Sequence, residues 1–192
     1  MIPIRDVVPT RTRPAATWLL VAGMTTALLT PAVRQGWFPW CATMAVFWLF
    51  GRTVEDRCGR ARFAALVAGG AAAAAAASWG LGALTGPGLV SSGAAAGVLA
   101  AYFLLFPGSR MLTLIPVVVG VEVTDVPAWV VAGMWALVQA ADLWARAAWS
   151  GPAHALPAAG AIAAGAVAGA LARFLLARPE RLRVDWWDPQ AR

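Results

Sequence analysis

Lysine is absent from this chain, and charge of any kind is scarce. Only 12% of the 192 residues are Asp, Glu, Lys or Arg, against roughly a quarter in a soluble domain. There is one histidine, one tyrosine and two cysteines. Each shortage excludes something. With a single histidine and no His/Cys/carboxylate group at ligand spacing, neither a metal nor another cofactor is expected. Two cysteines do not make a disulfide framework. Cys41 falls inside an apolar segment and Cys58 beyond its end, so they are not expected to pair. The net charge of +6 could suggest a nucleic-acid partner, but the arginines form no single patch and none is expected.

What is abundant is apolar: 60% of residues are hydrophobic, with a mean hydropathy of +0.69. An integral membrane protein built as one domain follows. A helix needs about twenty residues to cross a bilayer core, and six segments qualify: Ala16–Leu29, Trp37–Gly51, Phe63–Trp79, Leu89–Phe106, Pro127–Trp144 and Pro157–Ala177. The expected fold class is therefore an all-α membrane bundle of six transmembrane helices. A leader (1–15) too charged to insert precedes the membrane domain (16–178), with no cleaved signal, and a polar tail (179–192) follows. With the N-terminus inside, every arginine except Arg34 and Arg146 falls on the inner side. That asymmetry matches the positive-inside rule, and an even number of spans puts both termini in the cytoplasm. Most tryptophans fall near span ends, where indoles prefer the headgroup region; Trp186 and Trp187 are expected on the inner surface.

The stretch from Leu89 to Pro107, LVSSGAAAGVLAAYFLLFP, organises the rest. Ser92 and Gly93 stand at the head of its helix, with Ser91 suited to the N-cap. Gly93, Gly97 and Ala101 form a small-xxx-small stripe, as do Ala161, Gly165 and Gly169 on the last helix. Such stripes let helix backbones approach closely in a membrane, so these two helices are expected to pack face to face. The alanine run 71–77 is only weakly lipophilic and places the third helix against neighbours.

Val90-Ser91-Ser92-Gly93 resembles the Gly-x-Ser-Gly nucleophile motif of the rhomboid intramembrane serine proteases. The resemblance extends to the MIPIRD leader, Trp48-Leu49-Phe50-Gly51, Val54-Glu55-Asp56, Gly59, Pro127-Ala128-Trp129, Trp135, Gln139 and Ala164-Gly165. It implies the rhomboid-like six-helix bundle, with Ser92 as nucleophile near the outer face and Glu55 bracing the inner loop. It also exposes departures. The family's first motif glycine is Val90. The histidine position on the sixth helix falls on Ala158. The oxyanion donors of the second helix, a histidine and an asparagine, fall on Pro39 and Thr43. The membrane-embedded first outer loop is reduced to Pro31–Gly36.

A serine hydroxyl needs a base within hydrogen-bond reach to attack a carbonyl, and the intermediate needs pre-aimed donors. Two readings follow. One is a pseudoprotease in the bilayer of a bacterial-type plasma membrane, binding transmembrane segments of client membrane proteins. The other is an active protease cleaving such helices, with Ser92 as nucleophile and His154, the only histidine, as a displaced base. Pro157 suits the first turn of the sixth helix, which leaves His154 in the outer loop. An earlier start would set it about one turn before Ala158 on the same face. Asp142 and Arg146 read as an interfacial i,i+4 ion pair near the outer end of the fifth helix. No oligomeric state is implied.

Overall fold

The computed structural model describes residues 2–6, 14–27, 37–82, 87–117 and 120–176. The Pro31–Gly36 loop, Arg11, Arg13 and the tail with Trp186 and Trp187 lie outside the described residues. Helix α1 spans Ala15–Ala27. Helix α2 (Trp37–Val46), a π-helical turn (Phe47–Gly51) and α3 (Arg52–Cys58) follow one another without a break. The second helix thus runs past Arg52, where the sequence reading ended it. Arg52 stays near the apolar rod by stacking on Trp48, with its guanidinium carbon 4.6 Å from the ring centre, and donating to the Trp48 carbonyl at 2.8 Å. Gly59 ends the rod at φ 86°, a backbone that a side chain would strain.

Helices α4 (Arg60–Gly80), α5 (Pro87–Leu105), α6 (Ala128–Ser150) and α7 (Pro152–Leu176) complete the helical body. All four are long and apolar enough to cross a membrane, and α1 is a shorter apolar helix. Half of α5 is buried, against 22–28% of the others, so α5 is the axis around which the chain packs. Its Ala94, Ala95, Val98, Ala101 and Tyr102 are sealed inside. Near one end, Tyr102 meets Phe50 edge-on, with ring centres 4.8 Å apart. The alanine-rich α4 lies against both α5 and α7, and its buried line is Phe63, Leu66, Gly70, Ala74 and Ser78.

The helical body carries one small sheet among the described residues. Strand β2 (Arg110–Val117) turns back as β3 (Gly120–Pro127), both antiparallel, with Met111 opposite Val126. Strand β1 (Ile2–Asp6) pairs with β2 on the other side. Residues 2–6 therefore belong to the fold, although the leader carries no apolar run that announced it. The sheet marks one end of the molecule: α5 ends there, α6 starts there, and the Ala128 N–H donates to the Ser109 carbonyl at 3.0 Å.

Three further element boundaries differ from the sequence reading. Helix α7 starts at Pro152, with Pro157 inside it. Both prolines suit a first turn, and the chain takes the earlier one because Gly151, at φ 89°, makes the turn out of α6 just before it. Helix α5 starts at Pro87, so Ser91 is not its N-cap; its hydroxyl instead donates to the Gly88 carbonyl at 3.0 Å. Helix α6 runs on to Ser150, which puts Asp142 and Arg146 well inside it. Exposed Trp129 and Trp149 stand near its two ends, about 30 Å apart at 1.5 Å per residue, the thickness of a bilayer core.

Candidate functional site

The site is framed by the contact between α5 and α7, where glycine removes every side chain that would hold the backbones apart. A Cβ on Gly97 would lie 2.8 Å from the Gly165 carbonyl oxygen, and one on Gly93 2.6 Å from the Ala161 carbonyl oxygen. In the other direction, Cβ atoms on Gly165 and Gly169 would overlap the carbonyls of Gly93 and Gly97. Partners advance together along both helices, so the two run parallel. Helix α4 closes the third side, with Gly70 facing the Ala94 Cα and Ala74 facing Gly93.

This register fixes how far each candidate base position lies from Ser92 along the helices. Gly93 meets Ala161 on one side and Gly165 on the other and lies midway between them, so Ser92 is level with about Ile162, and Ala158 stands about 6 Å, one turn, nearer the start of α7. Ala158 is buried and offers only a methyl group. His154 lies about 12 Å from the Ser92 level by the same measure. Its Cβ tilts toward the helix N-terminus, which carries the imidazole farther away, and the residue is exposed. Ser92 is half-buried. Among the described residues no hydrogen bond joins its hydroxyl to His154 or to any other side chain. The register thus sets Ala158 about one turn, and His154 about two turns, from the Ser92 level.

The remaining positions lie on α2 and α5. Pro39 is in the first turn of α2, half-buried and without an N–H to donate; Val90 is half-buried on α5. Thr43 is fully buried, and its hydroxyl accepts hydrogen bonds from Trp135 Nε1 and Gln139 Nε2, each at 3.3 Å. It is engaged with α6. One turn earlier, Trp40 Nε1 donates to the Met24 carbonyl at 3.2 Å and ties α2 to α1. The spacing of Trp135 and Gln139, one helical turn apart, is the signal that could have exposed their shared partner.

Polar chemistry is denser toward the sheet. Glu55 is 1% exposed and accepts from the Ala16 N–H at 3.0 Å, the Thr17 N–H at 2.8 Å and the Thr17 hydroxyl at 2.8 Å. It thereby satisfies free N–H groups at the start of α1 and places a negative charge at the positive end of the helix dipole. Arg60 approaches it to 3.9 Å. Gly51, in the π-turn, lets Thr17 and Phe63 close in, each 3.3 Å from where a Cβ would be. On α6, Arg146 Nε donates to Asp142 Oδ2 at 2.6 Å, with the pair largely covered. Among the described residues no three His, Cys, Asp or Glu side chains come together as metal ligands.

A set of long apolar helices packed through glycine, capped by a small sheet and bounded by exposed tryptophans defines a multi-pass membrane protein. The family model described as the Rhomboid domain matches residues 22–179, and the chain belongs to the rhomboid family. No curated protein and no solved structure matches it.

Proposed function

We infer that this protein is a rhomboid-like pseudoprotease that binds transmembrane segments of client membrane proteins. It would cross a bacterial-type plasma membrane six times, with α1, the α2–α3 rod and α4 to α7 as the spans. The arginine asymmetry favours cytoplasmic termini, with the sheet on the cytoplasmic side. The observation that carries the inactive reading is Ala158: a buried methyl group at the position where the family carries its base. Thr43, at an oxyanion position, is already committed to Trp135 and Gln139. A serine without a base is a poor nucleophile, and each missing oxyanion donor costs about 3 kcal/mol of transition-state stabilisation.

A fluorophosphonate probe on purified protein in detergent tests this, with wild type beside Ser92→Ala and His154→Ala. The expected result is no labelling under conditions where an active rhomboid reacts. Wild-type labelling that disappears in both variants would establish the Ser92–His154 protease instead. Client binding is checked separately by cross-linking in the membrane. Recovery of no membrane-protein partner would count against it.

A further inference from the structure

The sheet runs in the order β1-β2-β3, and among the described residues no strand covers the far side of β3. The bond from the Ala128 N–H to the Ser109 carbonyl joins residues directly opposite each other in the β2–β3 register. Bonded and non-bonded pairs alternate along an antiparallel ladder, so Val126, Thr124, Glu122 and Gly120 bond inward to β2. The N–H and C=O groups of Val121, Val123 and Asp125 therefore point outward. Pro116 and Pro127 agree with this parity, since both fall at non-bonded pairs. The opposite edge, on β1, is blunted. Pro3 has no N–H to offer there, and the register shifts just after it, a common defence of edge strands.

An open row of backbone donors and acceptors accepts an added strand, and the chain carries one of matching pattern. Helix α7 runs parallel to α5, with Gly97 between Gly165 and Gly169, so Leu176 stands within one residue's rise of the Leu105 level. Residues 177–192 thus follow from the end of the molecule where the sheet sits, and α7 packs against α6, the helix that β3 enters. Within them, Leu182-Arg183-Val184-Asp185-Trp186 alternates apolar and charged residues, the pattern of a half-buried strand. Pro179 and Pro189 bracket it.

We propose that residues 182–187 add to the sheet as a fourth strand, antiparallel to β3, with Arg183 opposite Asp125. One register satisfies both faces. Val126 is buried and Asp125 exposed, so an apolar residue suits the first position and a basic one the second. Leu182 and Arg183 meet both conditions. A shift of two residues one way sets Glu180 against Val126, and the other way sets Asp185 against Asp125. A slip of one residue turns every side chain to the wrong face. In the matching register Asp185 and Trp187 bond to Val123 and Val121. The added strand closes the sheet's long edge to other extended segments and ties the end of α7 to the hairpin.

Hydrogen exchange on the full chain in phosphatidylcholine vesicles tests the edge amide by amide. In the wild type the Val121, Val123 and Asp125 amides should exchange about tenfold more slowly than in Asp185→Pro, which removes a bonded N–H. Val184→Pro should leave them protected, because the N–H of Val184 faces away from β3. The buried amides of α5 report in each variant that the helical body is folded. A second arm traps the register. Thr124→Cys with Val184→Cys should crosslink under mild oxidation, since a non-bonded antiparallel pair stands about 4.5 Å apart at Cα, within disulfide reach. Thr124→Cys with Arg183→Cys, on opposite faces, should not, and peptide mapping separates these bonds from any at Cys41 or Cys58. Edge amides that exchange as fast in the wild type as in Asp185→Pro overturn the proposal. So does a crosslink at 184 no stronger than at 183, the result if Trp186 and Trp187 hold the segment on the membrane surface instead. A bond between Thr124→Cys on one molecule and Val184→Cys on another would make a second copy the occupant and likewise overturn it.

Discussion

Glu55 is the residue on which the start of α1 depends. Its carboxylate receives two backbone N–H groups and one hydroxyl, and a hydrogen bond to a charged group is worth about 1.5–3 kcal/mol. Thr17→Val removes one of these bonds and retains the shape, whereas Glu55→Ala strands all three donors. Thermal unfolding in detergent should show a loss of about 1.5–3 kcal/mol for the first and a larger loss for the second. Equal effects would mean that the hydroxyl is the only bond that counts. The sequence marked Glu55 as a bracing residue through a family resemblance. It did not identify Thr17, because the partner lies on another helix and no local pattern joins the two. Ser92 was legible as a motif, and so was Ala158 at the family's histidine position; the two-turn offset of His154 from the Ser92 level emerged only from the helix register.

At the scale of elements, the α5–α7 contact was readable because small residues at four-residue spacing have one physical consequence, close backbone approach. It also separates glycines that look alike in the sequence. Gly165→Ala should be strongly destabilising, since the added methyl meets the Gly93 carbonyl and overpacking costs about 1–3 kcal/mol or more. Gly133→Ala on α6 meets nothing within 4 Å and should be neutral, or stabilising by up to about 1 kcal/mol through helix propensity. Unfolding free energies of the two variants in mixed micelles check the pair; similar values would contradict the packing. Helix boundaries were less legible. Two prolines, Pro152 and Pro157, compete for one helix start, and the winner depends on the turn at Gly151. The pairing of β1 with β2 was missed for another reason: β1 comes from more than a hundred residues earlier in the chain, a separation no window of local periodicity reaches.

Catalysis in this architecture would be a property of the whole molecule, since its parts come from three helices: oxyanion donors on α2, the serine on α5 and the base on α7. Restoring one part should therefore restore little. Ala158→His would put an imidazole at the family's base position, but Pro39 would still offer no donor and Thr43 would still be held by Trp135 and Gln139. With each oxyanion donor worth about 3 kcal/mol, or roughly a hundredfold in rate, the single variant should label with a fluorophosphonate far more slowly than the combination Ala158→His, Pro39→His, Thr43→Asn and Val90→Gly. Asn at position 43 must also leave α6 to face the serine, so the combination should react faster still when Gln139→Leu removes one of the two partners that hold it. Labelling rates across this series measure how far the three helices remain in catalytic register. Rapid labelling by Ala158→His alone would show that donors other than Pro39 and Thr43 complete the site, and the inactivity would then reside in one methyl group.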